Sequence, residues 1–213
     1  MKTDLRQTPA TPANANSAEI VVRALRRLDE TCVDLTVGQH ADMSFEEWDI
    51  VTVDEYLQMI NGKTAALLAF SAELGAMVAN SSKEQIEHFA AFGRDLGLAF
   101  QVRDDILGIW GDETIIGKSA ATDIATRKKS LPVLFGLENS PRLYHLYAGP
   151  EPGVDFVDQV VEELERVGAR QFAERYEEMY ANSALDHLAA VNVENQAGQA
   201  LHQLTLSLLN RPS

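Results

Sequence analysis

One cysteine, Cys32, leaves no partner for an intrachain disulfide, so the fold must rest on its core, and a reducing, cytoplasmic setting is expected. No stretch approaches the roughly 18 apolar residues that mark a membrane span. Basic residues are scarce: 18 Lys and Arg against 32 Asp and Glu give a net charge of −14. That argues against nucleic acid as a partner, because such surfaces need clustered positive charge. The five histidines (His40, His88, His145, His187, His202) lack metal-ligand spacing. With a single cysteine and no nucleophile motif, zinc chemistry and covalent catalysis are both disfavoured. No alternating strand pattern and no internal repeat is present.

The 213 residues have an ordinary globular composition, 46% apolar and 23% charged, enough for one domain with a substantial core. Residues 1–17 are polar and lack the apolar stretch of a signal peptide, so they are expected to be a flexible leader ahead of a single domain over 18–213. The rest carries helical periodicity nearly throughout. Ser17 is expected to cap a helix over about 18–37, and Thr52 with Glu55 forms a capping box opening a second over about 53–79. Ser82 with Gln85 opens a third in the same way, to about Leu107. A loop over 108–126 follows, then a short helix from Arg127 to Glu138 with Pro132 in its first turn. Residues 139–153 are expected to be a surface connection, and 154–209 two or three helices broken near Gly168 and Asn192. Phe172, Tyr176, Met179 and Tyr180 are expected to be core. The fold class is all-α, a helical bundle.

The most informative stretch is Gly97 to Lys118. On a helix, Gly97, Gln101, Asp104, Asp105 and Gly108 share one side, bordered by the apolar residues Ile86, Phe89, Gly93, Leu96, Phe100 and Leu107. Carboxylates beside a core stripe are costly unless paired or metal-bound. Lysines follow at once: Lys118, then Arg127, Lys128 and Lys129. Mg²⁺ binds through one or two carboxylates plus the substrate's own phosphates. An acidic chain with adjacent aspartates and a local cluster of lysines can therefore grip a diphosphate through metal. Lys63, on the core face of the second helix beside Thr64, either snorkels to the edge or meets a buried anion. Asp112 and Asp123 could add metal or water contacts, or serve as turn and cap residues.

Several segments together resemble the polyprenyl synthetase family, the trans-isoprenyl diphosphate synthases. Gly38-Gln39-His40-Ala41-Asp42 is similar to its Gly-Gln-x-x-Asp element, and Gly62-Lys63-Thr64-Ala65 to its Lys-Thr helix. Phe100-Gln101-x-x-Asp104-Asp105 resembles its second aspartate-rich motif. Gly117-Lys118, Thr122-Asp123 and Lys128-Lys129-Ser130-Leu131-Pro132 resemble the segment after it. The resemblance implies an isoprenoid-synthase helical bundle. It implies Asp104 and Asp105 as Mg²⁺ ligands, with Lys63, Lys118 and Lys128 contacting an allylic diphosphate. Thr64 and Gln101 would face the carbocation left after ionisation, with Asp123 supporting that shell. The substrates implied are isopentenyl diphosphate and an allylic diphosphate.

Two departures qualify the resemblance. Gly108 stands where the motif usually carries a third aspartate. The family's first aspartate-rich motif, its arginine pair and its Gly-Gly-Lys element do not occur in the sequence, so the bundle is expected to lack its N-terminal helices. Three functions therefore compete. One is a Mg²⁺-dependent prenyltransferase to which this chain supplies the second aspartate-rich, diphosphate-binding half. Another is a non-catalytic or regulatory subunit pairing with a full-length prenyl synthase. The last is a terpene cyclase or prenyl diphosphate hydrolase. Apolar surface left uncovered by missing helices would favour association, as a homodimer or with a partner synthase subunit.

Overall fold

A computed structural model describes residues 15–111, 122–149, 153 and 155–209, and the side chains from Ala18 onward. Every regular element among them is helical. In chain order they are α1 (Ala15–Glu47), α2 (Val53–Ile60), a π-helical turn (Asn61–Ala65), α3 (Ala66–Val78), α4 (Lys83–Trp110) and α5 (Thr122–Ala125). They continue with α6 (Leu131–Asn139), α7 (Pro141–Ala148), α8 (Phe156–Arg166), α9 (Ala169–Ala190) and α10 (Gln196–Leu209). None of these helices is long and apolar enough to cross a membrane.

Both capping boxes form. The Thr52 hydroxyl accepts from the Glu55 N–H at 3.2 Å and the Glu55 carboxylate from the Thr52 N–H at 2.8 Å. Ser82 and Gln85 repeat the arrangement at the start of α4. The later breaks also fall where expected: Gly168 (φ 76°) and Asn192 (φ 47°) take left-handed conformations that glycine and asparagine tolerate best.

Other boundaries differ from the sequence expectation. α1 starts at Ala15, so Ser17 lies inside its first turn, and it runs ten residues past Val37. Gly38 does not end it, because that glycine serves packing: a Cβ there would lie 2.3 Å from the Lys63 backbone nitrogen. Residues 127–130 are not helical, and α6 begins at Leu131. The expected connection over 139–153 contains α7, started by Ser140, whose hydroxyl accepts from the Leu143 N–H at 3.1 Å, with Pro141 at the first helical position. Met179 is 51% exposed rather than core.

α4 is the central column, flanked by α3 on one side and α9 on the other, with α1 against α3 and the π turn. Phe92, Leu96 and Ala99 of α4 pack with Ala184 and Leu188 of α9. Further along, Leu98, Val102 and Ile106 meet Tyr56, Met59 and Ile60 of α2. Burying each such aliphatic side chain contributes about 1.5–3 kcal/mol. The carboxylate-bearing end of α4 is thus held rigidly against α2 and the π turn, which places the candidate site.

Candidate active site

The site begins with a defect in helical regularity. Between α2 and α3 the chain widens into a π turn over Asn61–Ala65, which carries Lys63 and Thr64. Such single π turns inside helices recur at functional sites. Glycines let neighbouring elements close on it. A Cβ on Gly62 would lie 2.8 Å from the Asp34 carbonyl oxygen of α1, and one on Gly97 would lie 2.7 Å from the Ala65 Cα. The glycines at 38, 62 and 97 therefore bring α1, the π turn and α4 to backbone contact.

That closeness lets short side chains meet. Thr64 Oγ1 donates to Gln101 Oε1 at 2.9 Å, and Gln101 Nε2 donates to Asp105 Oδ1 at 3.3 Å. The other Asp105 oxygen accepts from the Tyr56 hydroxyl and from the Leu131 backbone N–H, the latter at 3.0 Å. One polar chain thus runs Thr64–Gln101–Asp105–Tyr56 across the π turn, α4 and α2, and is tied to the start of α6. Asp105 is 1% exposed. Burial pushes its carboxyl up to about 6; the Lys128 charge, Tyr56, the Leu131 N–H and Gln101 pull the other way. Tyr56 is raised well above an ordinary phenol, first by burial and then by the Asp105 charge, so it stays a donor.

Two ion pairs flank this chain. Lys63 Nζ pairs with Asp42 of α1, and Lys128 Nζ lies 3.6 Å from Asp123 Oδ2. Burial alone would lower the Lys128 pKa, but Asp105, Asp123 and Asp42 together raise it. The charges of three aspartates from three elements therefore favour the protonated form of one ammonium group. Asp104 stands beside Asp105, half-buried on α4. Lys118 and Asp112 lie outside the described residues.

The cationic run 127–129 divides its labour. Arg127 adopts a left-handed conformation (φ 54°), uncommon for a residue with a Cβ. Its guanidinium donates to the Gly149 carbonyl at 3.1 Å and lies 5.3 Å from the Phe156 ring centroid. Lys129 turns the other way and donates to the Phe45 carbonyl at 2.6 Å and to that of Trp48, capping the end of α1. Lys128 faces Asp123 and lies in the field of Asp105 and Asp42.

Sequence reasoning gave no role to Tyr56, and to Asp42 none beyond a motif match. The signal for Tyr56 was present: a tyrosine on an apolar face needs a partner for its hydroxyl. Among the described residues no three carboxylate, imidazole or thiolate groups converge into a metal cage. The donors here are oxygens with ammonium groups close behind. That set fits Mg²⁺, which binds a protein through one or two carboxylates and completes its shell with water and phosphate.

The polyprenyl synthetase family model matches residues 10–164. A geranylgeranyl diphosphate synthase of Mycobacterium tuberculosis is 47% identical over 135 residues, covering 62% of this chain and 39% of its own length. A (2E,6E)-farnesyl diphosphate synthase of Mycobacterium bovis is 36% identical over 196 residues, covering 88% of this chain and 55% of its own. The solved geranylgeranyl pyrophosphate synthase of Corynebacterium glutamicum, complexed with isoprenyl diphosphate and magnesium, superposes with a TM-score of 0.81 at 28% identity. That match covers 92% of this chain and 57% of the other. The chain thus spans about half the length of the curated relatives it matches. On the family match and the shared all-helical fold, this chain belongs to the polyprenyl synthetase family.

Proposed function

We propose that this chain provides the diphosphate-activating half of a Mg²⁺-dependent prenyltransferase that joins isopentenyl diphosphate to an allylic diphosphate. The observation that carries it is the Thr64–Gln101–Asp105–Tyr56 chain, flanked by Lys63 and Lys128. The Mycobacterium relatives are named for such products, and the Corynebacterium structure holds an isoprenyl diphosphate with magnesium.

Asp104 and Asp105 are the carboxylates for Mg²⁺, with unequal parts. Asp104, half-buried, offers oxygens to the ion; Asp105, already accepting from three donors, anchors the site from behind and holds Lys128 in its field. Magnesium, when bound, supplies positive charge that stabilises the departing diphosphate. Lys63, Lys118 and Lys128 neutralise the same oxygens as the allylic carbon–oxygen bond breaks and its electron pair leaves on the diphosphate. Lys63 must exchange Asp42 for the substrate to do so. The oxygens of Thr64 and Gln101 face the allylic cation, and the isopentenyl double bond then attacks it, with loss of a proton restoring a double bond.

A second reading, in which the chain works as a subunit of a larger synthase, is favoured by one observation. α1 presents Val22, Leu25, Val33 and Val37 to solvent, each more than half exposed (67, 56, 61 and 62%). An apolar stripe of that kind marks an association surface. The deciding experiment incubates the chain with Mg²⁺, labelled isopentenyl diphosphate and a series of allylic diphosphates. A prenyl product that disappears in Asp104→Ala supports the transferase acting alone. No product from a folded chain that still binds diphosphate favours the subunit reading.

A further inference from the structure

We propose that His88 and His187 form a binding site for a borderline divalent cation, Zn²⁺ by the spacing of the rings, that clips α9 to α4. The site is separate from the diphosphate face and does not depend on that reading. His88 stands well before Asp104 on α4, about 24 Å away along the helix.

The two histidines are 99 positions apart, so their spacing in the sequence carries no metal-ligand pattern. Packing of α9 on α4 brings them together. His88 is one turn before Phe92 on α4, and His187 lies between Ala184 and Leu188 on α9, at the rim of the apolar seam those residues form. Their Nδ1 atoms approach to 2.9 Å, with the rings tilted at 52° and their centroids 5.2 Å apart. In this pairing one Nδ1 donates and the other accepts, so a single proton sits between them.

The ring spacing also fits a tetrahedral ion. With metal–nitrogen bonds of about 2.0–2.1 Å at the tetrahedral angle, two imidazole centroids stand about 5.2 Å apart. The rings therefore need only swivel in place, opening the nitrogens to about 3.3 Å. The ion binds the tautomer in which both Nδ1 atoms are unprotonated and each N–H sits at Nε2. His187 then presents an N–H on the side of Asp95, whose Oδ2 is 3.9 Å from Nε2, a charge contact. A carboxylate behind a ligating histidine is the usual outer partner in zinc sites. Asp95 is held firmly in that position. It is 2% exposed and accepts from Ser183 Oγ at 2.6 Å and from Arg94 Nε at 2.7 Å. Both histidines are half-buried, so an ion reaches them from solvent. Among the described residues no third ligand joins them, and water completes the shell. Imidazole suits Zn²⁺ whereas Mg²⁺ takes oxygen ligands, so the two sites draw on different ions.

The test titrates Zn²⁺ alone into the untagged chain by calorimetry, with excess Mg²⁺ present, and records the melting temperature with and without Zn²⁺. Wild type is expected to bind one Zn²⁺ per chain and to melt higher with it. His88→Gln and His187→Gln keep a polar side chain at the seam. Each is expected to lose about tenfold or more in Zn²⁺ affinity and most of the Zn²⁺-dependent rise in melting temperature. Cys32→Ser and His202→Ala remove two other candidate ligands and should bind as wild type does. A wild-type chain that does not bind Zn²⁺ would overturn the inference, the histidines then sharing a proton only. So would wild-type affinity in either folded glutamine variant, or loss of binding in Cys32→Ser or His202→Ala. Should a glutamine variant fail to fold, the imidazole NMR signals of wild type decide. Those of His88 and His187 must shift together as Zn²⁺ is added, and signals that stay in place would overturn the inference.

Discussion

The Tyr56 hydroxyl on α2 donates to the Asp105 carboxylate on α4, joining two helices through a polar contact inside an otherwise apolar seam. Both residues are 1% exposed. Neither can turn to water for a substitute partner. Replacing Tyr56 by Phe is therefore expected to cost about 1–3 kcal/mol of stability, the penalty for leaving a buried acceptor short of a donor. Urea denaturation of the two proteins measures it.

The acidity of Asp105 gives a pH signature with a definite sign. Its carboxyl is pushed from 3.8 up to about 6 in the folded chain, mainly by burial. The folded state therefore binds this proton more tightly than the unfolded state does. Its contribution to stability is complete below about pH 4 and is lost as pH rises through about 6. In metal-free buffer, the stability of wild type relative to Asp105→Asn should fall across that interval and then level off. A flat difference would show that the carboxyl titrates normally.

Lys128 and Lys129 are adjacent in sequence and opposite in role. Lys129→Met removes the two hydrogen bonds that cap α1 and is expected to cost about 1.5–3 kcal/mol, the range for bonds to a charged group. Diphosphate binding should be nearly unchanged. Lys128→Met should instead weaken Mg²⁺-dependent binding markedly, with any loss of stability confined to pH above about 6, where Asp105 is ionised and misses the charge that offsets its burial. Paired denaturation and binding curves separate the two.

Gly38 is the point where α1 touches the π turn. Gly38→Ala puts a Cβ 2.3 Å from the Lys63 nitrogen, a contact with backbone that cannot swing aside. The expected cost is about 1–3 kcal/mol, as for overpacking elsewhere, together with weaker diphosphate binding because Lys63 and Thr64 shift. Wild-type stability in that variant would mean that α1 can move away freely.

Much of this was legible in the sequence, for identifiable reasons. The two capping boxes and the breaks at Gly168 and Asn192 are local, and each formed where the pattern placed it. The all-helical class followed from periodicity. What escaped depended on tertiary contact. Gly38 reads as a helix stop but is a packing glycine inside α1. The π turn has no sequence pattern of its own. α7 was hidden because Ser140 and Pro141 look like loop residues until they are seen to start a helix. In the site, Asp104, Asp105, Gln101, Thr64 and Lys63 stood out as polar groups beside apolar stripes. Tyr56 did not, because its ring satisfies the core pattern and only its hydroxyl serves the site. The cationic run could not be divided among its residues without the left-handed turn at Arg127.

The central claim is that this face of the bundle binds diphosphate through Mg²⁺, and a calorimetric titration of the folded chain with inorganic diphosphate tests it most directly. The account predicts saturable binding with Mg²⁺, little without it, and loss of the Mg²⁺-dependent part in Asp104→Ala. Binding that ignores Mg²⁺, or that survives in Asp104→Ala, would contradict it.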